Sequence, residues 1–215
     1  AAYYAMQMGV PISKIVLASN ANNVLTDFIK KGVYDLRGRT LIPTTSPAMD
    51  ILKSSNIERL LFHLYGPKRT KKLMENLEKK SFFKLKDTEL NTLQQIFDAE
   101  FATDDEVIKT IRKVEDNYKY VIDPHTATAF VARKKLELDD ITIIASTAEW
   151  TKFSETMAKA MGCDNDFESL TKIIGLDLPK QISDLFAKEE IHTTVINKEE
   201  IEEHTSELQS PYDLV

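Results

Sequence analysis

Two apolar runs, KIVLASN (Lys14–Asn20) and ITIIAS (Ile141–Ser146), are continuous rather than alternating. A strand that is apolar on both faces must be covered on both faces. Runs of this kind, spaced by helical patterns, therefore predict an α/β sheet with helices packed on either side. NVLTDFIKKG follows the first run and reads as a helix closed by Gly32; WTKFSETMAKAMG follows the second and is closed by Gly162. TTVIN (Thr193–Asn197) is a late strand candidate.

The middle has a different texture. From Asn56 to Asn117, charged helical patterns dominate: NIERLLFHLYG, RTKKLMENLEKK, DTELNTLQQIFDAE and TDDEVIKTIRKVEDNYK. SFFKL reads as a short edge strand among them. The pattern predicts a helical insertion, about residues 56–117, on the sheet domain. There is no internal repeat and no Pro/Gly/Ser-rich linker, so one continuous domain body over 1–201 is expected.

Composition narrows the function classes. The chain has 215 residues, a formal charge of −6 and 42% hydrophobic residues, which suits one or two compact units. An acidic balance argues against a nucleic-acid binder. The basic patch GPKRTKK is followed by ENLEKK and reads as a solvated helix face. No apolar run approaches the ~20 residues that span a bilayer, and no basic-then-apolar leader opens the sequence. Cys163 is the single cysteine, which rules out an intramolecular disulfide and fits a reducing, cytoplasmic setting.

Both ends carry expectations of their own. AAYYAMQMGVPISK has helix formers up to Gly9 and Pro11 but no initial cap, and reads as the second half of a helix with native sequence upstream. HTSELQSPYDLV has no apolar periodicity. Read back into codons, Glu202–Ser210 matches a widely used sequencing-library adapter, so Glu202–Val215 is expected to be a non-native tail from read-through.

Four helix starts have polar lead-ins. Ser55 with Glu58 and Ser146 with Glu149 have the spacing of capping boxes; Ser46 and Asp123 each precede a proline at the first helical position. Each is complete as a cap, a feature that stabilises ordinary helices by roughly 0.5–2 kcal/mol. Position adds a second reading. STAE and SNAN (Ser19–Asn22) follow buried-strand patterns. Ligands of open α/β sheets bind outside the carboxyl ends of strands. No metal set appears, because His63, His125, His192 and His204 are scattered without Cys or paired-His spacing. No glycine-rich phosphate loop and no Ser/His/Asp signature is present. The residues alone thus predict an α/β crevice with no identifiable reaction.

MGVPISKIVLASNANNVLTDFIKKGVYDLR, SPAMDILKSSNIERLLF, ATDDEVIKTIRKVEDNYKYVIDPHTA and STAEWTKF occur in this order. Together, from Ala1 to about Ile201, they resemble the C-terminal portion of threonine synthase. That family has a tryptophan-synthase-β-like fold (pyridoxal-phosphate fold type II), so the resemblance implies the C-terminal part of such an open sheet. It also implies a reaction: O-phosphohomoserine and water give threonine and phosphate, with pyridoxal phosphate as electron sink. The lysine that carries the cofactor, and the Gly/Asn-rich loop that cradles its phosphate, are expected in an N-terminal half outside this chain.

The resemblance assigns residues as well. Thr147 matches the threonine whose hydroxyl meets the cofactor's ring nitrogen, and Ser146 is the neighbouring candidate. Glu149 and Trp150 depart from the family's His-Pro pair, whereas Lys152 and Phe153 keep the pattern. On the substrate side, Asn20, Ser46, Asn56, Arg59, His125 and Lys152 fall in matching motifs. Arg59 either pairs bidentately with a phosphate or carboxylate, or is a helix-surface arginine. His125 either faces the cleft or is a satisfied residue of a capped helix start. The alternatives are another enzyme of the same cofactor fold, such as a serine/threonine dehydratase, and a non-catalytic α/β binding module.

Overall fold

The computed structural model describes residues 1–146, 148–191 and 193–195. The chain divides into two compact units, Ala1–Asp177 and Leu178–Val215. The first begins with α1 (Ala2–Gln7), which ends as its sequence predicts, with Gly9 at positive φ. KIVLASN forms β1 (Ile15–Ser19), and α2 (Val24–Lys31) follows. Val24, Phe28 and Ile29 line one face of α2 and are buried. Gly32 caps this helix in the left-handed region (φ 68°), and a Cβ there would lie 3.3 Å from the Leu90 side chain. Conformation and space both favour glycine at this position.

β2 (Val33–Asp35) pairs antiparallel with β3 (Phe82–Lys84), setting Tyr34 opposite Phe83. Their rings stack at 5.2 Å, and Phe28 meets both edge-on, so three aromatics centre the core. Between these strands runs α3 (Asn56–Lys80), broken at Gly66 (φ 77°, ψ 171°) where Pro67 forbids a continuous ladder. Leu61, Leu73 and Leu77 bury it against the same core.

The stretch read as DTELNTLQQIFDAE is not one helix. α4 (Asp87–Ile96) stops at Ile96, and β4 (Phe97–Phe101) begins at once. Phe97 and Ala99 are buried while Asp98 and Glu100, which alternate with them, are not, the period-two pattern of a strand. β4 lies parallel to β1, with Ile15 opposite Phe97 and Ser19 opposite Phe101. The region 56–117 is helical in α3, α4 and most of α5, but it also contributes β3 and the partner of β1.

α5 (Asp104–Tyr118) starts on a formed capping box, Thr103 with Glu106. It buries Val107, Ile111 and Val114 at i, i+4 and i+7. α6 (Pro124–Lys135), α7 (Ser154–Met161) and α8 (Phe167–Ile174) complete the unit, with Gly162 closing α7 as expected.

ITIIAS corrects a prediction. Ile141–Ser146 forms no strand, and Ile141 and Ile143 are 100% and 93% exposed. The sheets of the described residues have two strands each, β1 with β4 and β2 with β3, and this run pairs with neither. An apolar run without a partner stays extended and solvated.

The second unit holds α9 (Lys180–Phe186). Thr193–Val195 carries no strand, which corrects the TTVIN reading for those residues; Ile196, Asn197 and the tail 202–215 lie outside the described residues. Among the described residues, no helix is long and apolar enough to cross a membrane.

Candidate functional site

The carboxyl end of β1 opens into a buried polar cluster. Asn20, one residue past the strand, is 1% exposed. Its Nδ2 donates to Asp50 Oδ1 (2.7 Å) and Thr44 Oγ1 (2.9 Å), with the Ser46 hydroxyl and carbonyl at 3.2 and 3.3 Å. Its Oδ1 accepts from the Asn22 backbone N–H at 3.0 Å, an Asx turn that folds the chain towards α2. Asn22 pins the facing segment like a strand, donating to Ile42 O (2.8 Å) and accepting from Ile42 N (2.9 Å). Its Nδ2 also reaches Asp50 Oδ1 at 3.0 Å.

Ser46 is fully buried and caps a short 3₁₀ turn, Pro47–Met49, without a side-chain cap bond. Its hydroxyl is 3.2 Å from both Asn20 Nδ2 and Thr44 Oγ1. The predicted cap is thus replaced by a tie across the strand end. The turn's Ala48 N–H donates to His125 Nε2 at 3.0 Å. A ring nitrogen that accepts carries no proton, so Nδ1 holds it and donates to Asp123 Oδ1 at 3.0 Å. Phe153 covers the imidazole, ring centroids 4.5 Å apart.

Asp123 caps α6 as its sequence predicts, accepting from the backbone N–H groups of His125 (2.8 Å) and Thr126 (3.3 Å). Burial pushes its carboxyl up, but hydrogen bonds from His125 and Thr126 outweigh burial and hold it below the usual carboxylate range. The Thr126 hydroxyl bonds Asp123 Oδ2 and lies 3.4 Å from Ser146 Oγ.

A continuous line of contacts therefore joins four of the sequence-predicted residues. Asn20 meets Ser46, whose 3₁₀ turn bonds His125, and His125 connects through Asp123 and Thr126 to the exposed Ser146. Asn56 joins them along a cavity of about 240 Å³ shared with Ser19, Asn20, Asn22 and Met49. Arg59 is exposed and donates to Asn56 Oδ1, so it sits one helical turn from the cavity wall. Lys152 is exposed on the 3₁₀ turn Trp150–Phe153 and is not part of this line. Thr147 lies outside the described residues.

Two predicted capping boxes do not form. Ser55 is itself in helical geometry (φ −68°, ψ −23°), which turns its side chain away from the cap position. Ser146 does not cap a helix either: the 3₁₀ turn starts after an extended Glu149 (φ −97°, ψ 133°), and α7 begins only at Ser154. Sequence reasoning passed over Thr44 and Asp50 as site residues, and the bond of Thr45 Oγ1 to Asp104 Oδ1 at 2.9 Å, which ties the same segment to α5. Asp50 stood in the SPAMD motif, but a carboxylate four residues past a cap has no local signature.

No family model matches the chain. It is 43% identical over 167 residues to human threonine synthase-like 1, covering 75% of this chain and 22% of that protein. It is 33% identical over 206 residues to threonine synthase of Pseudomonas aeruginosa, covering 92% and 40%. Among solved structures, it superposes on pyridoxal-phosphate-bound threonine synthase from Brucella melitensis with a TM-score of 0.78 and 30% identity, over 95% of this chain and 42% of that one. The chain thus spans well under half the length of the relatives it matches. Its fold and sequence agree on the same family throughout that span: the chain carries part of a threonine-synthase-like domain of the tryptophan-synthase-β-like fold, pyridoxal-phosphate fold type II.

Proposed function

We propose that this chain forms one wall of a threonine synthase active site. The full-length protein would convert O-phosphohomoserine and water to threonine and phosphate with pyridoxal phosphate as cofactor. One observation carries the reading: the line of contacts that runs to Ser146 begins, at Asn20 and Ala48, on the wall of a cavity at the carboxyl end of a parallel strand, where open α/β sheets bind ligands.

The donor set fits the cofactor. Ser146 Oγ is exposed, whereas Asp123, the carboxylate behind it, is occupied by His125 and Thr126. A ring nitrogen at Ser146 or Thr147 would therefore meet a neutral hydroxyl, not a carboxylate. Pyridoxal phosphate, when bound, supplies the electron sink that makes carbon–hydrogen bonds next to the amino group acidic. The chain's part is to hold and orient. Asn56 and Arg59 stand at the cavity and its rim, where a guanidinium attracts a phosphate group. His125, with its proton fixed on Nδ1, holds the Pro47–Met49 turn against α6.

On this reading the cofactor-bearing lysine lies outside these 215 residues. The full-length protein is expected to show the cofactor's visible absorbance and to release phosphate from O-phosphohomoserine, and the isolated chain to do neither. Turnover by the isolated chain would refute the division of the site. A full-length protein that binds cofactor but leaves O-phosphohomoserine intact would refute the substrate.

A further inference from the structure

We propose that Asp50 is a positioning residue for the substrate side of the site, acting through the two asparagines that face the cavity. The proposal rests on the threonine synthase reading for its substrate, but not for its geometry.

Asp50 Oδ1 accepts from Asn20 Nδ2 (2.7 Å), Thr44 Oγ1 (2.8 Å) and Asn22 Nδ2 (3.0 Å), and Oδ2 accepts from the Thr44 backbone N–H at 2.9 Å. Asn20 and Asn22 line the cavity; Asp50 does not. Proton counting shows what this arrangement fixes. Asn20 Nδ2 has two hydrogens, and its two shortest contacts, Asp50 Oδ1 and Thr44 Oγ1, use both. Asn20 Oδ1 is held by Asn22 N, and Asn22 Oδ1 by Ile42 N. Neither amide can flip without placing an NH₂ against a backbone N–H. The carboxylate is the one side chain of this cluster that only accepts, and it takes four of the cluster's donors, so the network's direction converges on it. Loop 19–23 and segment 42–50 are thereby locked as one piece, with Met49 and the asparagines presented to the cavity.

Asp50→Asn tests this, because it keeps the shape and removes only the uniform acceptor. Turned one way, its NH₂ meets the donors of Asn20, Asn22 and Thr44 Oγ1; turned the other, it meets the Thr44 N–H. Either orientation leaves buried donors unpaired. In the full-length protein, hydrogen exchange at the Ile42 and Thr44 amides is expected to accelerate about tenfold or more. The KM for O-phosphohomoserine is expected to rise about tenfold or more, with kcat within about threefold and the cofactor absorbance unchanged. Unchanged exchange at both amides would overturn the proposal, as would a fall in kcat with KM constant. Thr44→Val leaves the carboxylate but removes one of its donors, together with the oxygen that accepts from Asn20 Nδ2 and the Ser46 N–H. Should Asp50→Asn not fold, the same acceleration at Ile42 is expected in Thr44→Val, and its absence overturns the proposal. If wild-type protein does not act on O-phosphohomoserine, the substrate reading fails, while accelerated exchange still upholds the role of Asp50 in holding the loop.

Discussion

Asp123→Ala in the full-length protein is expected to lower unfolding free energy by roughly 2–4 kcal/mol, combining a lost cap of about 1 kcal/mol with buried donors left unpaired at about 1–3 kcal/mol. Asp123 is 2% exposed and takes hydrogen bonds from two backbone N–H groups, the His125 ring and the Thr126 hydroxyl. Removing it strands His125 Nδ1–H inside the protein and unlatches the Pro47–Met49 turn from α6. Asp123→Asn keeps a capping oxygen and is expected to lose less. The pH dependence follows from the direction of the shift. The folded carboxyl lies below its ordinary value, so its ionised form stabilises the fold fully above an unfolded pKa of about 3.9. That contribution is lost as pH falls through the lower folded value. Thermal or chemical unfolding across pH checks this: the gap between wild type and Asp123→Asn should be widest above about pH 4 and narrow in acid. A gap that widens in acid would contradict the assignment.

Thr147→Val in the full-length protein is expected to cut turnover by about a hundredfold or more, the scale of removing one positioned donor from a reacting centre. Valine matches threonine in shape and deletes only the hydroxyl. A residue that served as a helix cap would cost about 1 kcal/mol, or roughly fivefold. Ser146 does not start a helix, so its own hydroxyl is not spent on capping. Ser146→Ala is expected to do less, because Ser146 Oγ already has the Thr126 hydroxyl at 3.4 Å. Steady-state rates with O-phosphohomoserine decide it. An unchanged kcat for Thr147→Val would make its role structural.

What was legible in the sequence was local. Strand β1, the Gly32 and Gly162 terminations and the Asp123–Pro124 helix start each depend on a few adjacent residues, and each stands where the sequence predicts. What escaped was set by partners distant in the chain. FDAEF follows a helix with no turn residue between, and its period-two signal spans only five residues, so it reads as helix until β1 claims it as a parallel neighbour. ITIIAS has the composition of a buried strand, but composition does not supply a pairing strand, and among the described residues the run pairs with neither sheet. The site divides the same way. Asn20, Ser46 and His125 were named from motifs, yet what unites them is Asp50, thirty residues from Asn20, and the backbone of Ala48, 77 residues from His125. Arg59 reaches the cavity wall only through Asn56, and Lys152 is exposed outside the line of contacts.

The account's central claim is that the cluster at the end of β1 borders the site of a threonine-synthase-like enzyme. A crystal structure of the full-length protein, grown with pyridoxal phosphate and an unreactive O-phosphohomoserine analogue, tests it most directly. The account predicts the cofactor ring nitrogen within hydrogen-bond reach of the Ser146 or Thr147 hydroxyl, and the analogue in the cavity lined by Asn20, Met49 and Asn56. A cofactor and analogue bound away from both, with the cluster sealed from them, would contradict it.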